Sequence, residues 1–122
     1  MRIMVTGSRT WKNQTRMNED LAELWRKLGE PVDPILVHGG AQGVDRMARD
    51  IWLRRGWDCE EHLADWDSLG KKAGFVRNVA MLESGIDHVV GFLQSMTPGT
   101  VNALEQSRVL GIPRTIYISG AC

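Results

Sequence analysis

Apolar positions along the chain alternate between two spacings. Short continuous runs give way to stripes that recur at three and four residues. "RIMVTG" (2–7) is an apolar run that ends on glycine and predicts a strand. In "MNEDLAELWRKLG" (17–29), Leu21, Leu24, Trp25 and Leu28 fall at i, i+3, i+4 and i+7, which predicts a helix that Gly29 and Pro31 stop. "PILVHGG" (34–40) predicts a second strand. In "VDRMARDIWLRRG" (44–56), Val44, Met47, Ala48, Ile51 and Trp52 make one apolar helix face, closed by Gly56. "WDCEEHL" (57–63) is a polar strand suited to a sheet edge, with Trp66 in the polar loop that follows it. A helix over 71–85, a strand over 87–93, a helix over 100–111 and a strand over 112–119 complete the pattern.

Strict β-α alternation at this spacing predicts parallel strands joined by right-handed crossovers. The expected fold is α/β: a Rossmann-like three-layer α/β/α sandwich with a five-stranded parallel sheet in the order 3-2-1-4-5. The 122 residues suffice for one domain, residues 1–122, with no repeat or linker. In such a sheet, ligands bind outside the carboxyl ends of the strands, here at the switch point between strands one and four.

Composition narrows the partners. Fifteen basic and fifteen acidic residues cancel, which argues against a nucleic-acid partner that reads a basic footprint. No apolar run has the length of a membrane span, and the N-terminus soon turns polar, unlike a signal peptide. Cys59 and Cys122 form no CxxC, which fits a reducing, cytoplasmic setting. Cys59 and His62, three apart on a strand, face opposite ways, so no metal site is expected. No cofactor is expected either, since no G-x-x-x-x-G-K-[ST] occurs.

Three loops rich in glycine and hydroxyl groups should meet at the switch point: "TGSRTW" (6–11), "HGGAQGVD" (38–45) and "QSMTPGT" (94–100). The second only approximates a dinucleotide fingerprint, because His38 stands where the first glycine belongs and the loop follows strand two. Gly39, Gly40 and Gly43 either permit a tight strand-to-helix turn or, with Gln42, admit a ligand. Asp45 either complements the helix dipole or accepts hydrogen bonds from ribose hydroxyls or a base. A carboxylate there would repel a phosphate. The phosphate is therefore expected at Gly99 and Thr100, which open the fourth helix, with Gly7, Ser8, Arg9 and Thr10 reaching it from strand one. Thr100 also reads as a plain N-cap, and Arg9 as a solvated charge.

"ADWDSLGKKAGFVRN" (64–78) places Lys71, Lys72 and Arg77 near a helix start, against the dipole. Such a choice suggests an anionic ligand or a partner subunit, or simple solvation of the lysines. Trp66, Lys71, Arg77 and Asn78 are the binding candidates of this stretch. Five tryptophans are many for the length, and Trp11 and Trp66, placed in loops, are candidates for an oligomer interface.

"MVTGSRTW", "VHGGAQGVD", "ADWDSLGKKAGFVRN" and "PGT…A…GIP" together resemble the SLOG superfamily, named for its Smf/DprA and LOG members, and within it the YspA-like (YpsA-related) branch. The resemblance covers nearly the whole chain, in order. It implies a Rossmann-like domain that binds nucleotides or nucleotide-derived ligands, and a dimer or higher homo-oligomer. LOG members are phosphoribohydrolases that cleave the N-glycosidic bond of cytokinin nucleotides. They carry P-G-G-x-G-T-x-x-E and an essential arginine on the preceding helix. Gly99 and Thr100 match the G-T, and Arg77 resembles the arginine. The glutamate's position is Ala103, with Glu105 two residues on. Glycosidic cleavage needs a carboxylate, for which Asp45 is the candidate substitute, with Arg77 beside it. The first expectation is a sensor or sequestering domain for a nucleoside monophosphate or ADP-ribose-like ligand. The alternative is a nucleotide hydrolase of N-glycosidase type. A DNA-associated module comes third, since basic-aromatic interleaving is lacking.

Overall fold

A computed structural model describes residues 1–94 and 98–118. Five parallel strands form one sheet: β1 (Arg2–Gly7), β2 (Ile35–His38), β3 (Asp58–Glu61), β4 (His88–Leu93) and β5 (Arg114–Ile118). Their order is β3-β2-β1-β4-β5, the order expected above. The register places Met4 beside Val37 on one side and Val89 on the other, so β1 lies between two paired strands.

The pleat divides the apolar residues between two cores. Ile3, Val5, Leu36, Val90 and Phe92 face α1 (Gln14–Lys27) and α2 (Val44–Arg54), where they meet Leu21, Leu24, Ile51 and Trp52. Met4, Val37, Val89 and Leu93 face the opposite way, against Met81 and Leu82 of α4 (Ala73–Glu83) and Ala103 and Leu104 of α5 (Pro98–Val109). Three layers result from this two-sided burial.

Element ends differ from the periodicity in places. The helix expected from residue 71 begins at Ala73. Ahead of it lie a single turn, α3 (Trp66–Leu69), and a 3-10 turn over Gly70–Lys72. Trp66 is thus helical rather than in a loop. Asp65 caps the turn by accepting the Ser68 N–H at 3.1 Å, and four residues are too few to show a stripe. The fourth expected helix starts at Pro98, two residues early, because proline's fixed φ suits a first helical position. Ser95–Thr97 of the third expected loop, Ser119 of the last expected strand and Cys122 lie outside the described residues.

Most tryptophans serve the interior. Trp11 is buried edge-on against Phe92, ring centres 5.5 Å apart, so it is core rather than a loop residue awaiting a partner. Trp52 packs on Trp57 at 4.8 Å and donates its indole N–H to the Pro34 carbonyl. Trp57 also meets Trp25, and both are half-buried. Trp66 stands apart at 52% exposure. Among the described residues no helix is long and apolar enough to cross a membrane, and no cluster of His, Cys, Asp and Glu has a metal-holding arrangement.

Candidate functional site

A cavity of about 380 Å³ opens at the carboxyl end of β1, on the face covered by α4 and α5. The end of β1 forms its floor through Val5, Thr6 and Gly7. Arg9, Ala41 and Asp45 come from the loops and helix start on the β2 side. Trp66, Lys71, Phe75, Arg77 and Asn78 form the opposite wall, and Gly99 and Thr100 at the start of α5 close it.

The α4 wall follows from helix geometry. Lys71, Gly74, Phe75 and Asn78 stand at i, i+3, i+4 and i+7, and Met81 continues the row. Gly74 faces the Trp66 ring, and a Cβ there would lie in ordinary contact with the indole at 3.5 Å.

A chain of hydrogen bonds ties the walls together. Arg77 donates from Nη1 to the Gly39 carbonyl at 3.1 Å and from Nη2 to Asn78 Oδ1 at 3.4 Å. Asn78 donates from Nδ2 to the Gly99 carbonyl at 3.2 Å. One arginine and one asparagine thus connect the loop after β2 to the start of α5. Arg77 Nε is buried and makes no hydrogen bond. Burial pulls the guanidinium's pKa down; Asp45 opposes the shift and Arg9 adds to it. A guanidinium so placed stays charged.

Asp45 is 7% exposed, and its Oδ2 accepts the N–H of Gly39 at 3.1 Å and of Ala41 at 3.3 Å. Burial raises its pKa, against the Ala41 amide, the charge of Arg77, the Gly39 amide and the charge of Arg9. His38 is buried and accepts the Gly40 N–H on Nδ1 at 3.1 Å. The proton must then sit on Nε2, which has no partner. Burial first of all lowers the pKa of His38, which favours the neutral ring.

These bonds decide how the loop after β2 works. Its amides at Gly39, Gly40 and Ala41 are all accepted by side chains of the same loop. They form a brace rather than an anion cradle. The glycines likewise make room for protein. A Cβ at Gly39 would lie 2.5 Å from the Arg77 guanidinium. Gly43 has φ +88°, and a Cβ there would lie 2.4 Å from the Arg9 carbonyl oxygen. Its role is to let the loops after β1 and β2 touch.

The predicted residues therefore divide. Gly7, Arg9, Asp45, Trp66, Lys71, Arg77, Asn78, Gly99 and Thr100 line one cavity. Gly39, Gly40, Gln42 and Gly43 do not. Neither do Ser8, buried with Oγ accepting the Gln94 N–H at 2.8 Å, and Thr10, exposed with its hydroxyl 3.2 Å from Gln94 Oε1. Lys71 and Lys72 sit in the 3-10 turn rather than in the helix proper. Ala103 is buried in the core, and Glu105 is exposed and paired with Arg108, away from the cavity. Val5, Thr6, Ala41, Gly74, Phe75 and Met81 complete the lining and were not anticipated. The row 71, 74, 75, 78 was the signal available for Gly74 and Phe75.

Fold and cavity define a class: a Rossmann-like three-layer α/β domain with its pocket at the switch point. The chain belongs to the YspA, cpYpsA-related SLOG family (YAcAr), whose family model matches residues 1–68. It is 39% identical over 119 residues to the Gene 61 protein of Mycobacterium phage D29, covering 92% of each chain. Its fold is similar to the X-ray structure of TM1055, a Northeast Structural Genomics Consortium target, with a TM-score of 0.67 at 18% identity. That match covers 93% of this chain and 71% of the other. Membership of the SLOG family points to a nucleotide-related function.

Proposed function

We propose that residues 1–122 form a single domain that binds a nucleotide or nucleotide-derived ligand at the carboxyl end of the sheet and acts as a sensor or sequestering protein. The observation that carries this reading is the make-up of the cavity. Arg9, Lys71 and Arg77 line it without an ion pair among the described residues, while Trp66 and Phe75 supply aromatic surface on the same wall. About 380 Å³ lies near the low end of the roughly 300–1,000 Å³ typical of small-ligand sites, a size for one nucleotide.

In this reading the phosphate meets Arg77, Arg9 and the start of α5. A Cβ at Gly99 would meet nothing within 4 Å, so the backbone there is open to close approach. The base lies against Trp66 and Phe75. Asp45 accepts from the ribose hydroxyls while its Oδ2 braces the loop. A homo-oligomer belongs to the same reading, with Leu63, Trp66, Leu69 and Val76 exposed along the stretch from the end of β3 to α4. So does a reducing cytoplasmic setting, in which Cys59 stays a thiol whose pKa burial pushes up to about 11.

One observation favours hydrolysis as a second reading. Asp45 is a buried carboxylate of raised pKa within the field of Arg77, which are the components an acid-base step needs. Release of free base from bound AMP, abolished by Asp45→Asn, would select it.

A thermal-shift series with AMP, ADP-ribose and NAD at millimolar concentration tests binding. Ligand at a hundred times Kd adds about 2.7 kcal/mol of stability, a rise of several degrees in Tm. No shift with any of them overturns the reading.

A further inference from the structure

The buried polar side chains in the cavity lining are Thr6, Asp45, Asn78 and Thr100. Asp45 braces the loop after β2, Asn78 joins Arg77 to the Gly99 carbonyl, and Thr100 has a partner within the chain. Thr6 differs from them. It is 9% exposed, yet its hydroxyl makes no hydrogen bond among the described residues. The oxygen is not sealed away either, unlike the unpartnered Nε of Arg77. What exposure the residue keeps opens on the cavity.

The strand sets its direction. Met4 and Thr6 stand two apart on β1, so both point toward the α4 and α5 layer. Met4 is wholly covered by that layer, whereas Thr6, one step nearer the carboxyl end, meets the cavity. Packing alone does not ask for a hydroxyl here. Valine has the same branched shape and would fill the space without an unpaired polar group. The two ends of the cavity also differ in depth. Trp66 and Phe75 are exposed, while Thr6 shares the buried end with Asn78 and Thr100. The positive end of the α5 dipole opens on that buried end, through Gly99 and Thr100, and favours an anion there. Arg77 adds a full charge to the same cavity.

We infer that Thr6 is a ligand-binding residue whose hydroxyl donates to a phosphoryl oxygen seated at the floor of the cavity. The ligand therefore enters phosphate first and leaves its base at the exposed aromatic wall. This rests on the nucleotide reading of the cavity and assigns its deep end.

Calorimetric titration of AMP and adenosine into the wild-type chain, Thr6→Val and Thr6→Ser tests it. Without ligand, Thr6→Val should melt at or above the wild-type temperature, because no protein hydrogen bond is lost. It should bind AMP at least about tenfold more weakly, the worth of one hydrogen bond to a charged group. Thr6→Ser keeps the hydroxyl and should bind AMP much as the wild type does. Adenosine, which has no phosphoryl group, should bind or fail to bind all three chains alike. Unchanged AMP affinity in Thr6→Val overturns the contact but leaves the nucleotide reading standing. So does an equal loss in Thr6→Ser, or a Thr6→Val chain that melts well below the wild type, which would make the hydroxyl a structural group. A parallel loss of AMP and adenosine would set the hydroxyl against the nucleoside and overturn the phosphoryl assignment. A wild-type chain that binds no AMP overturns the nucleotide reading itself, and the contact with it.

Discussion

The two sides of the cavity are built on opposite principles. On the β2 side, the glycine-rich loop is closed upon itself: Asp45 and His38 accept its amides, and Gly39 and Gly43 are filled by Arg77 and Arg9. On the α4 and α5 side, Lys71 makes no ion pair among the described residues, Trp66 is half exposed and the backbone at Gly99 is open. The conspicuous motif is thus a brace, and the open chemistry stands in a plainer stretch of sequence. Glycines after a strand signal close approach, but the approaching group here is the protein's own.

The largest effect should come from breaking the brace. Gly43→Ala puts a Cβ into the Arg9 backbone at a positive φ, and should cost about 2–4 kcal/mol in urea unfolding. Wild-type stability in this variant would mean that the two loops do not touch.

Asp45→Ala comes next. It strands the amides of Gly39 and Ala41, for a loss of roughly 1–3 kcal/mol. Asp45→Asn keeps an acceptor and removes a buried charge, so it should stay closer to wild type. If alanine proves as stable as asparagine, the carboxylate does not hold the loop.

A pH series sharpens the same point. Burial lowers the pKa of both His38 and His88. The unfolded chain takes up these protons near pH 6.5, while the folded chain resists. The stability they contribute is therefore full above about pH 6.5 and is lost as the pH falls toward their folded values. The urea midpoint should drop between pH 7 and 5, and His38→Gln should flatten part of that slope. An unchanged slope would free His38 from its role beneath Gly40.

On the open side, effects on stability should be smallest. Lys71→Ala, at an exposed position, should shift unfolding by no more than about 0.5 kcal/mol while weakening AMP binding. The reverse pattern, destabilisation with binding intact, would make Lys71 part of the scaffold.

The sheet order was legible because the strands, all but the polar edge strand β3, are short apolar runs and the helices between them carry their own stripes. The burial of Ile3 and Val5 against one helix layer, and of Met4 against the other, is that pattern made solid. The turn at Trp66 was not legible, since four residues cannot show a period and none of them is buried. Arg9, Asp45 and Thr100 stand at loops expected to converge on one sheet end, Arg77 was singled out by its place near a helix start, and the four line one cavity. What the glycines touch was hidden, because a glycine's neighbours across the fold leave no mark on its own sequence.

The most direct test of this contrast is a crystal structure of the chain with AMP bound. The account predicts the phosphate at Arg77 and the start of α5, with the base against Trp66 and Phe75. A phosphate seated on the amides of Gly39 and Gly40, with His38 and Asp45 turned away, would contradict it.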